Sequence, residues 1–188
     1  MDTDTYGFDF PYYVTGIIIP KGTTTIRDNN LSSYPYLQTI TIPESVTSIG
    51  GGAFYYCTSL TSITIPEGVT SIGNNAFENC SSLTSITIPE GVTSIGGGAF
   101  YQCTSLTSMT IPESVTSICN GAFNGCSKLT SITIPESVTS INGWAFDGCS
   151  KLKTINYTGT EEQWNAISKG TDWNYETSLN VIYNYKPE

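Results

Sequence analysis

The chain has 188 residues, of which 38% are hydrophobic and only 12% are charged, a composition that suits an ordered domain and excludes the usual signature of disorder. Its net charge of −9 disfavours nucleic acid and anionic membranes as partners, because both bind basic surfaces. The sequence has no histidine, which excludes His-based catalytic triads and His-containing zinc sites.

The N-terminus shows no targeting segment. Residues 1–10, MDTDTYGFDF, lack the basic and apolar regions of a secretory signal. No run in the sequence approaches the roughly 18 apolar residues of a transmembrane helix, and no C-terminal anchor is visible. We therefore expect no membrane insertion, and either a cytosolic protein or a mature secreted chain whose signal has been removed.

A 23-residue repeat dominates the sequence. Its frame is L-x-x-I-x-I-P-x-x-V-x-x-I-G-x-x-A-F-x-x-C, which recurs five times nearly complete between about Val14 and Lys151. A fixed period of this length predicts a solenoid, because one coil cannot bury its apolar face without its neighbours. The prolines that mark the period are Pro20, Pro43, Pro66, Pro89, Pro112 and Pro135.

Each coil is predicted to contain two short strands and one corner. The Ile-x-Ile alternation before the proline indicates a strand with both isoleucines inward and the middle threonine outward. Proline ends this strand because it has no N–H to donate. The following VTSI predicts a second extended segment, and GxxAFxxC predicts a corner with Ala, Phe and Cys inside.

The repeat frame resembles the BspA-like leucine-rich repeats of bacterial cell-surface proteins, and residues 155–170 resemble that family's C-terminal ending. The resemblance implies a leucine-rich-repeat solenoid, mainly β, with parallel strands in 23-residue coils, curved and right-handed. It also implies an extracellular or cell-surface location and a role in binding. It implies no catalytic residue, no cofactor and no metal site.

We divide the chain into three parts. Residues 1–13 are predicted to be an aromatic-rich N-terminal cap, residues 14–151 six repeats, and residues 152–188 a C-terminal cap with a partial coil, a short helix and a closing strand. The aromatic side chains expected to cover the first coil are Tyr6, Phe8, Phe10, Tyr12 and Tyr13.

The C-terminal cap carries signals for one helix. Thr160 and Gln163 predict a capping box at its start. Trp164 and Ile167 are three residues apart and share a face, and Gly170 is expected to end the helix. The closing strand is predicted within residues 177–186, TSLNVIYNYK.

Five of the six cysteines follow the repeat, and Cys119 stands apart. Stacked cysteines about 4.8 Å apart are close enough for disulfides, but five thiols cannot all pair and their side chains run parallel. The C-x-x-C spacing of a metal cluster is missing. We therefore predict reduced, buried, structural thiols. The repeated residues are Cys57, Cys80, Cys103, Cys126 and Cys149.

A glutamate follows each proline from the second repeat on. The interpretation without a function is a solvated turn, where stacked carboxylates repel by roughly 1 kcal/mol per pair. The functional alternative is capture of Ca²⁺ or of a basic partner, although a straight ladder offers too few ligands to surround Ca²⁺. These residues are Glu44, Glu67, Glu90, Glu113 and Glu136.

The outward threonines of the first strand form a row of hydroxyls. Such rows are similar to the face of β-helical ice-binding proteins, but the neighbouring row is mostly serine and leucine-rich solenoids curve. Threonine is also simply a good exposed strand residue. We keep Thr64, Thr87 and Thr110 as candidate partner contacts. The complete row is Thr41, Thr64, Thr87, Thr110 and Thr133.

The remaining candidates are residues that differ between otherwise similar coils, all near the Ala-Phe corner. Exposed aromatic side chains beside polar ones suit protein contacts and also stack on sugars. The alternative is neutral drift of loop positions. The candidate partner-binding residues here are Tyr55, Tyr56, Glu78, Tyr101 and Trp144.

Together with what the family resemblance implies about location and binding, these patterns favour a non-enzymatic protein-binding or adhesion module of a secreted or surface protein, with a protein of a host or neighbouring cell as partner. A glycan is a less favoured ligand. The alternative is a structural spacer without a specific ligand, which the near-identity of the coils supports. An enzyme is disfavoured because no convergent set of unlike residues is visible.

Overall fold

The computed structural model describes residues 10–174 and 179–187. Seven successive coils each contribute one strand to a main sheet face and one to a second face. The main-face strands are β1 (Gly16–Ile18), β3 (Thr39–Thr41), β5 (Ser62–Thr64), β7 (Ser85–Thr87), β9 (Ser108–Thr110), β11 (Ser131–Ile134) and β13 (Thr154–Tyr157). The second-face strands are β2 (Thr25–Ile26), β4 (Ser48–Ile49), β6 (Ser71–Ile72), β8 (Ser94–Ile95), β10 (Ser117–Ile118), β12 (Ser140–Ile141) and β14 (Ser168–Lys169).

All strand pairs are parallel, and within the repeats like residues lie beside like. In β5 and β7, for example, Ile63 pairs with Ile86 and Thr64 pairs with Thr87. On the main face β1 pairs with β3, β5 with β7, and β9, β11, β13 and the C-terminal strand β15 (Asn180–Ile182) form one sheet. The second-face sheets run β2-β4-β6-β8 and β10-β12-β14. The predicted parallel solenoid of 23-residue coils is therefore confirmed.

The core consists of buried columns, and its largest members are five stacked phenylalanines. Their adjacent ring centroids are 5.2–5.5 Å apart, with interplanar angles of 3–8°. Trp173 closes this column, with its ring edge-on to Phe146 at 6.2 Å. Each ring is thus covered by its neighbours in the stack. The column contains Phe54, Phe77, Phe100, Phe123 and Phe146.

The corner of each of the first six coils contains two residues with left-handed backbone conformation, four positions apart. Glycine adopts this conformation at no steric cost, and asparagine tolerates it better than most residues. The first of the two residues is Asn29, Gly52, Asn75, Gly98, Gly121 and Trp144 in successive coils. The second is Ser33, Tyr56, Asn79, Gln102, Gly125 and Gly148.

The described N-terminal aromatic residues, Phe10, Tyr12 and Tyr13, differ in their contacts with the core. Phe10 is half-buried against the core and contacts the ring of Tyr34 at 6.4 Å. Tyr12 and Tyr13 are instead exposed and contact each other and Tyr36. The expectation that these two tyrosines cover the first coil is therefore wrong, because their rings pack on one another outside the core. Tyr6 and Phe8 lie outside the described residues.

The C-terminal helix α1 (Glu161–Ala166) begins with the predicted capping box. The Gln163 amide donates to Thr160 Oγ1 at 3.2 Å, and the Thr160 amide donates to Gln163 Oε1 at 2.8 Å. Trp164 and Ile167, predicted to share a face, are both buried. The helix ends at Ala166, so the prediction that Gly170 ends it is wrong.

The helix ends early because the chain there joins the second face. Ser168 and Lys169 form β14, which pairs with β12. The Lys169 ammonium donates to the carbonyls of Trp164 at 2.7 Å and Ile167 at 3.3 Å, and it lies 4.8 Å from the centre of the Trp164 ring. Of the predicted closing strand, Asn180–Ile182 forms β15 beside β13; residues 177 and 178 lie outside the described residues.

Replacing Thr160 by alanine is expected to lower the free energy of unfolding by about 1 kcal/mol, because it removes the side-chain acceptor of the capping box. Urea unfolding followed by circular dichroism measures this loss. Glu161→Ala is the matched control, since Glu161 lies in the first turn outside the box. Equal losses in the two variants would contradict a stabilising role for the box.

Candidate functional site

The predicted contact residues lie on two separate surfaces. Tyr55, Tyr56, Glu78, Tyr101 and Trp144 lie on the corner surface, which we define as the exposed side of the Gly-x-x-Ala-Phe corners. Thr64, Thr87 and Thr110 lie on the sheet face, which we define as the outward side of the main-face strands; all three are exposed.

On the corner surface, Tyr55, Glu78 and Tyr101 lie at equivalent positions of successive coils and are half-buried. Backbone hydrogen bonds fix this stack: the Tyr56 amide donates to the Glu78 carbonyl at 2.9 Å, and the Asn79 amide donates to the Tyr101 carbonyl at 2.8 Å. The structure therefore brings these three side chains into one column. Trp144 lies two coils beyond Tyr101 and is separate from it.

Tyr56 and Trp144 combine exposure with an unfavourable backbone conformation. Tyr56 has φ 60° and is 44% exposed, and Trp144 has φ 53° and is 51% exposed. A bulky residue in the left-handed region is a backbone outlier that costs on the order of 1 kcal/mol. Periodicity had selected both residues as variable, but it did not reveal this strain. The glycines and asparagines at the equivalent corner positions of other coils were the sequence signal that could have revealed the strain, because these residues favour left-handed backbone.

A groove opens on the corner surface around Tyr55 and Glu78, with a volume of about 540 Å³. It exists because Gly51 and Gly52 have no side chains, while the equivalent residues of the coils on both sides have them. We call it the corner groove. Its lining residues are Asp28, Asn29, Gly51, Gly52, Tyr55, Asn74, Asn75 and Glu78. Asp28, Asn29, Asn74 and Asn75 were not among the residues predicted from the sequence.

The corner groove is electronegative. Partial burial raises the pKa of the Glu78 carboxyl. Burial, followed by the nearby Glu78 and Tyr56, raises the pKa of the Tyr55 hydroxyl. Both shifts have the sense expected for acidic groups that are partly desolvated, and Asp28 adds a second carboxylate to the groove.

The sheet face carries a second, smaller groove of about 320 Å³ between β7 and β9. Thr87 and Thr110 line it with Ser85, Ser108 and Glu90. Thr133 is buried, with 8% exposure, so its assignment to the outward exposed row is wrong. Thr133 lies within the continuous β9-β11-β13 sheet and pairs with Asn156, whose side chain is larger than the threonine of the other coils.

The glutamates after the prolines are exposed. The side chains of Glu90 and Glu136 accept hydrogen bonds from neighbouring segments. The Glu113 amide donates to Glu90 Oε2 at 3.1 Å. Gln163 Nε2 donates to Glu136 Oε2 at 3.1 Å, which ties α1 to the last turn. Within residues 10–174 and 179–187, no group of three His, Cys, Asp or Glu side chains is placed to hold a metal ion.

All six cysteines are reduced, and the five repeated ones are buried, as predicted; Cys119 is half-buried. Each repeated thiol donates to a carbonyl 26 residues earlier, for example Cys103 to Phe77 at 3.2 Å and Cys149 to Phe123 at 3.0 Å. These bonds join adjacent coils and were not foreseen from the sequence. Burial raises the pKa of the Cys57 and Cys103 thiols to about 12.

Solved structures similar to this chain are bacterial leucine-rich-repeat proteins. The T. pallidum leucine rich repeat protein TpLRR is 29% identical, with a TM-score of 0.75 over 83% of this chain and 73% of its own. A Bacteroides ovatus leucine-rich repeat protein is 26% identical, with a TM-score of 0.54 over 90% of this chain and 54% of its own. A Faecalibacterium prausnitzii leucine rich cell surface protein is 30% identical, with a TM-score of 0.49 over 82% of this chain and 62% of its own.

The chain thus spans less than two thirds of the length of the last two proteins. The comparison with curated proteins finds no match. No helix formed by the described residues is long and apolar enough to cross a membrane. The family model of the BspA type leucine rich repeat region, in six copies, matches residues 3–127 and 47–169. Because these matches cover most of the sequence, the chain belongs to the BspA-type leucine-rich-repeat family of bacterial surface proteins.

Proposed function

We propose that this chain is a non-enzymatic protein-binding or adhesion module, located outside the cell or on its surface, and that it binds its partner through the corner surface. The observation that carries the proposal is the pair Tyr56 and Trp144, two exposed aromatic side chains held on left-handed backbone. Membership of the BspA-type family supports the surface location.

The repeat itself shows which residues the corner accepts without strain. At the position of Trp144 the first five coils have glycine or asparagine and the last coil has Asp172. At the position of Tyr56 the other coils among the first six have Ser33, Asn79, Gln102 or glycine. Folding alone therefore gains nothing from a tryptophan or tyrosine here. Exposed aromatic residues are enriched at protein interfaces, where they supply much of the binding energy.

The distance between the two aromatics favours a protein over a small ligand. Tyr56 and Trp144 are four coils apart, which corresponds to roughly 19 Å at the ordinary strand spacing of about 4.8 Å. Tyr55, Glu78 and Tyr101 lie in the coils nearest Tyr56. A surface of this length suits one side of a protein–protein interface better than it suits a single sugar.

The test uses substitutions taken from the repeat. Tyr56→Asn copies Asn79 and Trp144→Gly copies Gly121, so both variants should keep or slightly increase the stability of the fold. The purified chain and its variants are screened against extracellular-matrix and cell-surface proteins and a glycan array. We expect a saturable protein partner whose binding weakens at least about tenfold in the double variant, as for loss of an interfacial aromatic anchor.

The control is Tyr36→Ala, which removes an exposed tyrosine at the N-terminal end, away from the corner. A partner retained by the corner variants but lost in Thr87→Lys would place the site on the sheet face with Thr64 and Thr110. A purely glycan partner would contradict the protein-binding proposal. No partner at all would favour the alternative of a structural spacer.

A further inference from the structure

We infer that the corner groove receives the side chain of an arginine presented by the protein partner. This inference rests on the proposed function, because it specifies one contact of the corner surface. The groove includes Tyr55, the residue before Tyr56 in the chain. Tyr55 and Glu78 belong to both the groove and the predicted contact set.

The walls of the groove are fixed by the backbone. Asp28 Oδ1 accepts a hydrogen bond of 2.6 Å from the Gly51 amide, so this side chain is held against the next coil. Asn29 Oδ1 lies where the Cβ of an alanine at position 52 would be, so any side chain there would have to displace it. Gly52 also has φ 60°, a left-handed conformation that glycine adopts without steric cost. The groove is therefore preformed.

The charge of the groove selects a cation. Its two carboxyl groups are Asp28 and Glu78, and the described residues that line it include no Lys or Arg; Arg27, which precedes Asp28 in the chain, is exposed outside the lining. Glu78 Oε1 accepts from Asn79 Nδ2 at 3.3 Å, and a carboxylate has further acceptor positions. With 16 acidic against 7 basic residues, the whole chain also attracts a basic partner.

The shape and chemistry of the lining favour arginine over lysine. A guanidinium is planar and carries five N–H donors, so it stacks on an aromatic face while it donates to carboxylate and amide oxygens. Tyr55 supplies the ring, Glu78 and Asp28 supply carboxylates, and Asn29 supplies an amide oxygen. An ammonium group would make the ionic contact but would lose the planar stacking.

The repeat contains an internal comparison. Gly97 and Gly98 lie two coils further on and are flanked in the same way by Asn74 and Asn75 on one side. There Tyr101 has Asn124, and not a glutamate, in the next coil. The corner at Gly97 and Gly98 therefore has a tyrosine, as the corner groove does, but has Asn124 in place of Glu78. It should bind a guanidinium more weakly than the corner groove.

The experiment is an NMR titration of the ¹⁵N-labelled chain with N-acetyl-arginine amide, at physiological ionic strength. We expect saturable shifts of the Gly51 and Gly52 amides with a millimolar Kd, as befits a single side chain. Glu78→Gln should raise this Kd about fivefold, which corresponds to one partly exposed ion pair. Glu67→Gln makes the same change in net charge outside the groove and should leave the Kd unchanged.

Tyr55→Leu is the second variant, with Tyr101→Leu as its control, and it should raise the Kd about threefold by removal of the aromatic face. Equal Kd values for the wild type and Glu78→Gln would overturn the inference. So would shifts caused by methyl glycosides but not by arginine, or no saturable shift up to tens of millimolar. These outcomes are independent of the partner screen, so failure of the inference and failure of the proposed function remain distinguishable.

Discussion

Replacing Phe100 by alanine is expected to lower the free energy of unfolding by about 3–5 kcal/mol, the range measured for large cavities in protein cores. Phe100 is fully buried and stacks between Phe77 and Phe123 at centroid distances of 5.5 Å on both sides. Its removal leaves a gap in the middle of the column, where neighbouring coils are fixed by strand pairing and cannot collapse inward.

Equilibrium unfolding in guanidinium chloride, followed by circular dichroism, measures this loss. Phe100→Leu is the matched control, because Leu31 fills the equivalent position of the first coil and is fully buried there. We expect the leucine variant to lose less than half as much stability as the alanine variant. A loss below about 1 kcal/mol for Phe100→Ala, within the range of surface substitutions, would contradict the role of the stack.

Raising the pH above 9 is expected to destabilise the protein steeply. Burial raises the pKa of the Cys57 and Cys103 thiols from 9.0 to about 12 and also raises those of Cys80 and Cys126. In the unfolded chain these thiols ionise near pH 9, whereas in the folded chain they keep their protons. The stability they contribute is thus complete below pH 9 and is lost as the pH rises towards 12.

The size of this effect follows from the linkage relation. At pH 10, Cys57 and Cys103 together should remove about 3 kcal/mol of stability, and Cys80 and Cys126 act in the same direction. Denaturant unfolding between pH 7 and 10.5, in the presence of a reductant, measures the dependence. Cys103→Ala should make the free energy of unfolding fall less steeply with pH, whatever its effect on stability at pH 7. The same slope in this variant would show that the buried thiols are not the cause.

Thiol labelling gives an independent readout. In the native chain Cys119 should react with a maleimide well before the buried cysteines, because only Cys119 is half-exposed. The other five should react only after unfolding.

The sequence by itself determined the repeating architecture. The fixed 23-residue step places each residue beside its own copy, so coil spacing, inward columns and buried cysteines all follow from one alignment. The Thr160–Gln163 capping box was equally predictable, because both partners lie within one helical turn. The corner was correctly located as the place where coils differ, and Tyr55, Tyr56, Glu78, Tyr101 and Trp144 lie on it.

The tertiary structure decided what depends on the space between coils and on the ends of the stack. The corner groove is formed by glycines in one coil and by Asp28, Asn29 and Asn74 in its neighbours, so no single repeat encodes it. The exposure of Tyr12, the burial of Thr133 and the early end of α1 depend on what packs beside them at the termini. A periodic pattern specifies the interior of a solenoid, because every interior coil has the same neighbours; at the ends and on the variable corner the neighbours differ.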